Sequence, residues 1–324
     1  MDLNFFQIEG IIKPDMKIIF LNPKKDFSLS QISLLESLGD VVFLETKEGL
    51  QNPELFDQTE KILAIGPDTT EWSFPNDLIN RIPHLRAVCV PTTSFSWIDG
   101  KYLRKKGIDL INVPKYSTES VAEYAISLML NLVKKIPLII MNNWKLDYDK
   151  HQGFEIKGKT AGIIGLGSIG TRIAELTKSL GMNVVYWSKN SRDDRFQYKK
   201  IDEVLKTADF IFPALARNEE TKNIINKDKL ELLKQGAFIV SITGDDLFDL
   251  DYAAQLVKSG KLSGLAFESD KYTINNLKLN NFGGNILVTP PIAWFTKEAF
   301  LEDMRIWVEN IEFVIKGKPQ NLVN

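Results

Sequence analysis

The sequence predicts an α/β protein with two Rossmann-like or flavodoxin-like parallel-sheet domains and a cleft between them. Three observations support this prediction. The chain has 324 residues, enough for two domains of roughly 100–200 residues each. Short apolar runs alternate with segments of helical spacing, which is typical of parallel sheets with crossover helices. One of these units also carries three glycines at G-x-G-x-x-G spacing: Gly165, Gly167 and Gly170.

The predicted elements alternate along the whole chain, after a leading arm over 1–15. Strands are predicted at 16–21, 41–44, 62–65, 85–90, 108–113, 161–164, 184–187, 210–215, 237–242, 265–267 and 286–288. Helices are predicted at 29–38, 74–81, 100–106, 119–135, 169–180, 201–206, 227–233, 252–259 and 296–316. Ser117 or Thr118 can cap the long helix. Pro114 and Pro290 mark two boundaries, and 270–284 is expected to be an irregular linker.

The glycine segment predicts a dinucleotide-binding turn. An apolar strand precedes the three glycines and an amphipathic helix follows them, the context that makes this motif specific. The first glycine permits a tight turn, the second lets the backbone approach a pyrophosphate, and the third lets helix and strand pack closely. Free N–H groups at the helix start, at Ser168 and Ile169, are expected to bind phosphate.

The end of the next strand indicates which dinucleotide is preferred. An acidic residue at this point binds the ribose 2′-hydroxyl of NAD, but this chain has Ser188, Lys189 and Arg192 there. A hydroxyl and two cations favour a 2′-phosphate. We therefore expect NADP(H) to be preferred, with NAD(H) as the alternative. In the alternative interpretation, both cations are ordinary solvated loop residues.

Composition excludes several classes of function. The net charge of -2 gives no electrostatic reason to expect nucleic acid or an anionic membrane, and no apolar run approaches the roughly 20 residues that span a bilayer. A single cysteine, Cys89, precludes an intrachain disulfide, so the cytoplasm is the expected compartment; we predict a buried structural thiol. With only His84 and His151, both interpreted as structural, no metal site is expected.

Six segments, spread over nearly the full length, carry a family resemblance: VAEYAISLMLNLVKK, GKTAGIIGLGSIG, ADFIFPALARNEETKNIIN, KQGAFIVSI, LVTPPIA and GKPQNLVN. Together they resemble the D-isomer-specific 2-hydroxyacid dehydrogenase family. The segment YWSKNSR is also similar to the NADPH-preferring glyoxylate and hydroxypyruvate reductases of that family.

The resemblance implies a discontinuous substrate domain over 1–114 and 290–324, and a central Rossmann domain over 115–289. The cleft between them would hold the coenzyme, and the apolar segment 121–140 would form a homodimer interface. The coenzyme would contact further residues that lie at the strand ends of the central domain: Leu215, Ile242, Thr243 and Glu268. A substrate loop is implied at Val90–Asp99, with Thr92, Thr93 and Ser94 as candidate contacts.

The catalytic residues of the family are not retained. The family holds the substrate carboxylate with an Arg, uses a Glu, and protonates the ketone oxygen with a His. At these positions this chain has Gly244, Thr273 and Pro291, with Glu268 at the position of a preceding Asp. Replacements could come from loop residues expected to face the cleft: Asp245, Asp246, Lys271 and Tyr272.

Two interpretations of function follow. In the first, the chain is an NAD(P)-dependent oxidoreductase with altered chemistry, acting on a substrate that needs no histidine acid, such as an iminium ion. In the second, it is a catalytically silent nucleotide-binding sensor or scaffold. The sequence does not name the substrate.

Overall fold

A computed structural model describes residues 16–243, 246–269 and 284–324. The predicted leading arm and most of the predicted linker lie outside these residues. The chain forms two compact units. Unit 1 comprises the residues up to Tyr116 together with Lys297–Asn324, and unit 2 comprises Ser117–Thr296. These divisions fall a few residues after the predicted domain boundaries, which stay predictions.

The elements follow the predicted alternation. The strands are β1 Met16–Leu21, β2 Asp40–Phe43, β3 Glu60–Ile65, β4 Leu85–Cys89, β5 Asp109–Ile111, β6 Thr160–Ile164, β7 Asn183–Trp187, β8 Gln197–Tyr198, β9 Phe210–Pro213, β10 Ala237–Ser241, β11 Leu262–Glu268 and β12 Ile286–Thr289. The α-helices are α1 Leu29–Leu38, α2 Asn76–Arg81, α3 Gly100–Lys105, α4 Thr118–Val133, α5 Ile136–Met141, α6 Ser168–Ser179, α7 Ile201–Thr207, α8 Lys227–Glu231, α9 Leu250–Lys258 and α10 Lys297–Ile315. Short 3-10 helices lie at Lys24–Asp26, Lys47–Gln51 and Pro53–Leu55.

Unit 1 is a five-stranded parallel sheet in the order β2-β1-β3-β4-β5. This is the flavodoxin-like order of doubly wound proteins. Alternate residues of β1 enter different cores: Ile18 and Phe20 pack with α1 and α10, whereas Ile19 and Leu21 pack with α2 and α3. Because both faces of the sheet are covered, its strands are apolar on both sides.

The C-terminal helix α10 is fixed to this sheet by side chains as well as by packing. Trp307 Nε1 donates to the Cys89 carbonyl oxygen at 3.1 Å, and Asn310 Nδ2 donates to the Asn112 carbonyl oxygen at 2.9 Å. Cys89 is buried, as predicted.

Helix α10 also carries a buried acid. Asp303 is 4% exposed, and one of its carboxyl oxygens has no hydrogen-bond partner among the described residues. Burial raises the pKa of Asp303 to about 8, because desolvation disfavours the charged form.

Unit 2 is a seven-stranded parallel sheet in the order β12-β11-β10-β9-β6-β7-β8. From β6 the chain runs outward through β7 and β8, and then returns to β9 on the other side of β6. Helices α4 and α6 cover one face, and α7, α8 and α9 cover the other. A topological switch point therefore lies between β6 and β9, where such sheets bind ligands at the carboxyl ends of their strands.

Three details differ from the sequence prediction. Ser117 precedes α4 but forms no capping hydrogen bond through its side chain. The segment after α4 is a separate helix, α5, which begins after Lys135 in a left-handed conformation with φ 59°. The two-residue strand β8 was not predicted, because so short a run carries no periodicity.

Candidate coenzyme-binding site

The turn between β6 and α6 is built from glycines for steric reasons. Gly165 has φ +104°, and a Cβ there would lie 2.6 Å from the Ala214 carbonyl oxygen. A Cβ at Gly170 would lie 2.0 Å from the Gly165 carbonyl oxygen. Contacts this short are not tolerated, so α6 can approach β6 this closely only because both positions are glycine.

The middle glycine has a different environment. A Cβ at Gly167 would have no described atom within 4 Å, so this position faces open space. Gly167 is also the N-cap of α6, and it supplies no side-chain hydrogen bond. The first N–H groups of α6, including those of Ser168 and Ile169, therefore lack a side-chain cap beside an open volume. This arrangement fits a phosphate group at the helix N-terminus.

The neighbouring strand ends complete this edge of the sheet. The Leu215 side chain lies beside the glycine turn, 2.7 Å from where a Gly165 Cβ would be. Thr243 Oγ1 donates to the Pro213 carbonyl oxygen at 3.2 Å, and Ile242 is buried in the core. The structure thus brings these three predicted residues to the carboxyl ends of β9 and β10.

The residues after β7 form a polar, cationic corner. Ser188 is buried, and its hydroxyl oxygen accepts from the Ser191 N–H at 3.2 Å. Arg192 donates from Nη1 to the carbonyl oxygens of Ser188 and Ser191, both at 2.8 Å. Its guanidinium lies 4.0 Å from the ring centroid of Tyr198 in β8, a cation–π contact that fixes the charge next to Ser188.

Lys189 is engaged differently. Its ammonium group pairs with Glu220 at 2.7 Å, and both side chains are exposed. The hydrogen bond from Lys189, together with its charge, lowers the pKa of Glu220. Exposed ion pairs contribute little net stability, so a bound anion could displace Glu220.

Glu268, at the end of β11, binds the segment that follows β12. Its Oε1 accepts from the Ile292 N–H at 2.7 Å and from the Ala293 N–H at 2.8 Å. Glu268 is 7% exposed, and hydrogen bonds to a carboxylate are the stronger kind. These two bonds hold the backbone immediately after Pro291, which is itself exposed. The predicted coenzyme contact of Glu268 stays a prediction.

Tyr124, on α4, was not identified from the sequence. Burial raises its pKa, and the charge of Glu268 adds to this effect. Tyr124 therefore keeps its phenolic hydrogen at neutral pH, close to Glu268 and the end of β12. Its position on the buried face of a helix gave no sequence signal beyond core packing.

Arg217, in the loop after β9, was also missed. Its Nε donates to Asp246 Oδ2 at 3.1 Å, which pairs one of the proposed replacement residues with a cation. Gly244 and Thr273, with Asp245, Lys271 and Tyr272, lie outside the described residues.

The predicted substrate loop lies in unit 1, after β4. Thr92 Oγ1 donates to the Ser94 carbonyl oxygen at 2.6 Å, and Thr93 Oγ1 donates to the Val113 carbonyl oxygen at 3.0 Å. Ser94 Oγ lies 3.4 Å from Ser96 Oγ. The hydroxyl groups of Thr92 and Ser94 thus contact the loop itself, whereas that of Thr93 binds the segment after β5.

Two further statements concern only the residues that the structure describes. Within 16–243, 246–269 and 284–324, no three His, Cys, Asp or Glu side chains are grouped to hold a metal ion. In the same ranges, no helix combines the length and apolarity needed to cross a bilayer.

The sequence of this chain is similar to known members of one dehydrogenase family. Residues 126–293 match the model of the D-isomer specific 2-hydroxyacid dehydrogenase NAD binding domain. A hydroxypyruvate reductase of Blautia hydrogenotrophica is 28% identical over 309 residues, covering 90% of this chain and 94% of that protein. A D-3-phosphoglycerate dehydrogenase of Archaeoglobus fulgidus is 31% identical over 294 residues, covering 87% of this chain and 55% of that protein.

Solved structures share the same fold. An acyclic imino acid reductase in complex with NADPH and D-Arg has a TM-score of 0.81 at 26% identity, covering 95% of this chain and 100% of that one. A glyoxylate reductase from Paecilomyes thermophila has a TM-score of 0.82 at 22% identity, covering 96% and 98%. The second likeness concerns the fold alone.

The different environments of two glycines give a test of the coenzyme site. We expect Gly167→Ala to retain the melting temperature but to weaken dinucleotide binding at least roughly tenfold, because its methyl group enters the space for the pyrophosphate. Gly170→Ala, the matched variant, should lower the melting temperature as well. Thermal unfolding and calorimetric titration with NADPH measure both quantities. Unchanged NADPH affinity in Gly167→Ala would contradict the assignment.

Proposed function

The chain belongs to the D-isomer specific 2-hydroxyacid dehydrogenase family, and we propose that it is an NADPH-dependent reductase of imines derived from 2-oxo acids. Family membership makes it an NAD(P)-binding oxidoreductase of the dehydrogenase type. The proposal concerns the substrate bond, which would be C=N instead of C=O, and the preference for NADP(H).

The observation that carries this proposal is Pro291. The family resemblance implies a proton-donating His at this position, and proline has no side-chain donor and no N–H within the chain. Glu268 holds the next two backbone N–H groups at 2.7 and 2.8 Å. The segment is therefore ordered around a residue that cannot protonate a substrate.

Reduction of an iminium ion does not need that proton. When bound, the coenzyme supplies a hydride to the substrate carbon. A ketone would then develop negative charge on oxygen and require an acid, whereas a protonated imine becomes a neutral amine as its π electrons pass to nitrogen. A substrate that arrives with its proton thus makes the missing acid unnecessary.

Two further observations support the proposal. The imino acid reductase that shares this fold is 26% identical across 95% of this chain and was solved with NADPH. Arg217 lies in the loop after β9, where its guanidinium pairs with Asp246 while 58% of its side chain stays exposed. We propose that Arg217 binds the substrate carboxylate in place of the arginine that Gly244 replaces.

A catalytically silent nucleotide-binding protein remains the second candidate. Pro291 favours this candidate too, because it cannot act as the proton donor. A sensor or scaffold would keep the glycine turn to bind the coenzyme and would need no catalytic acid. The discontinuous domain over 1–114 and 290–324 would then bind a ligand or partner without turning it over.

The activity prediction compares reduction of a C=N bond with reduction of a C=O bond. With saturating NADPH, we expect pyruvate plus methylamine to be reduced at least roughly 10²-fold faster than pyruvate alone, because a lost general acid costs 10²–10⁴ in rate. Oxidation of NADPH and mass spectrometry of the product, N-methylalanine or lactate, measure this. Glyoxylate, hydroxypyruvate, aldehydes and a cyclic imine extend the comparison.

Each outcome has a definite meaning for this proposal. Reduction of an oxo acid alone at the ordinary enzyme rate of roughly 1–10³ per second would show that other residues replace the triad. No turnover with any imine, despite NADPH binding, would leave the silent candidate. Arg217→Gln should raise KM for the imine while NADPH affinity is retained.

The coenzyme prediction concerns the corner after β7. We expect NADPH to bind more tightly than NADH, and Ser188→Asp to reverse the order, because a carboxylate repels a 2′-phosphate and binds a 2′-hydroxyl. Arg192→Gln should weaken NADPH binding roughly tenfold, since a charge-assisted hydrogen bond contributes about 1.5–3 kcal/mol. Calorimetric titrations give both dissociation constants.

Arg195→Gln is the matched control for this corner. Arg195 lies three residues further and pairs with Glu175 and Asp193, so its loss should leave the ratio of the two affinities unchanged. Equal affinities of the wild-type protein for both coenzymes would refute the preference.

We also propose a homodimer through α4, α5 and the segment after them. A groove of about 520 Å³ runs between α4 and α6 and is lined by Leu130 and Leu180, among others. The apolar side chains continue beyond it, where Ile140, Met141 and Trp144 are exposed. An exposed apolar surface of this extent is typical of an interface.

Light scattering at micromolar concentration tests the dimer. The wild-type protein should have twice the mass of one chain, and Ile140→Glu should shift it to the monomer. Leu301→Glu, on the exposed face of α10, is the matched control and should remain dimeric. A monomeric wild-type protein would exclude this interface.

A further inference from the structure

A second cavity is lined entirely by residues of unit 1. It has a volume of about 900 Å³ and lies between the segment after β3 and helix α3. The chain segment 322–324 closes one side of it. A volume of this size lies within the range of small-molecule sites.

One wall of the cavity is aromatic. Phe95 and Trp97 line it, and both belong to the predicted substrate loop Val90–Asp99. Trp72 stands edge-on to Trp97, with ring centroids 6.1 Å apart at 72°, but does not itself line the cavity. Glu71 and Trp72 both have positive φ, 52° and 55°, an uncommon conformation for residues other than glycine. Aromatic rings such as those of Phe95 and Trp97 stack on planar ligands.

The opposite wall is cationic. Lys101 and Arg104 line the cavity and lie three residues apart on α3, which places them on one face. Neither side chain has an ion pair or hydrogen bond with any residue that the structure describes. Asp99 is the acid in the lining, and it already accepts from the Tyr102 N–H at 2.9 Å and from Asn76 Nδ2 at 3.3 Å. Two cations thus face one engaged carboxylate, so the cavity favours an anion.

We propose that this cavity binds an anion that carries a planar heterocycle. The ring would stack on the aromatic wall, and its carboxylate or phosphate would pair with Lys101 and Arg104. Purine nucleotides and indole carboxylates share this chemistry. The proposal does not depend on the imine reductase activity.

The cavity shares Phe95–Asp99 with the predicted substrate loop, and hydrogen bonds connect this part of the loop to Thr92 and Ser94. Trp97 Nε1 donates to the Ser94 carbonyl oxygen at 3.3 Å, and the same oxygen accepts from Thr92 Oγ1 at 2.6 Å. A ring bound against Trp97 therefore contacts a residue that helps to fix Thr92 and Ser94. Through this link the ligand would influence the substrate loop.

Calorimetry with three probes tests the proposal. Adenosine 5′-monophosphate, indole-3-acetate and inorganic phosphate are titrated into the full-length protein with saturating NADP⁺, which fills the coenzyme site of unit 2. We expect at least one ring-bearing anion to bind, at least roughly tenfold more tightly than phosphate, since stacking adds to the ionic contact. The ring-bearing probe that binds distinguishes the nucleotide from the carboxylate source.

Matched variants on α3 assign the binding to this cavity. Arg104→Gln should weaken the ring-bearing anion at least roughly tenfold, the loss expected for a charge-assisted contact. Lys106→Gln removes one positive charge at the end of the same helix but outside the lining, so it should change affinity less than about twofold. Circular dichroism confirms that both variants fold. No binding of either ring-bearing anion, equal binding of phosphate, or equal effects of the two variants would overturn the proposal.

Discussion

The contact between Gly170 and the carbonyl oxygen of Gly165 is the constraint on which unit 2 depends. A Cβ at Gly170 would lie 2.0 Å from that oxygen, so no other residue allows α6 to start where it does. This start places the uncapped N–H groups of α6 at the switch point between β6 and β9, where the strand order reverses. The positive end of the helix dipole and the open space at Gly167 therefore meet at one location. The steric need for glycine at 165 and 170 thus places a helix N-terminus that attracts anions beside Gly167.

Fold and catalytic chemistry depend on different residues in a protein of this family, so the side chain at a catalytic position can differ without a change of fold. The sheets need apolar residues on both faces of their strands and glycine at the turn. The side chain at an exposed position such as Pro291 contributes to none of these packing requirements. Glu268 shows the same separation, since it stabilises the backbone after Pro291 through two N–H groups. The backbone at this point is thus fixed by contacts that do not depend on the side chain at position 291.

The sequence predicts the features that depend on local pattern. Strand cores, the glycine turn and the position of Ser188 were all predictable, because spacing along the chain determines them. The contacts of Glu268 were not, since its partners lie 24 and 25 residues away and pair only after β11 and β12 align. The sequence predicts that the charge of Arg192 favours a 2′-phosphate. Its stacking on Tyr198 was not predictable, because that contact depends on β8, a strand too short to recognise. Tyr124 could not be distinguished from an ordinary core residue, because it lies at helical spacing among apolar residues of α4 and is partly buried against the core. Gly244 and Thr273 lie outside the described residues, so their positions rest on the resemblance.

The buried acid on α10 makes the folding of unit 1 sensitive to proton concentration. An unfolded aspartate has a pKa near 3.9, whereas burial raises the pKa of Asp303 to about 8. Between these values the folded state holds a proton that the unfolded state has released, so the free energy of unfolding falls as the pH rises, by up to about 1.4 kcal/mol per pH unit. A pH series of denaturant unfolding, with Asp303→Asn for comparison, would register that slope, and an identical slope in both proteins would exclude it. Helix α10 belongs to the C-terminal segment that completes unit 1 after the chain has passed through unit 2. A rise in pH therefore weakens the packing of this segment on the rest of unit 1.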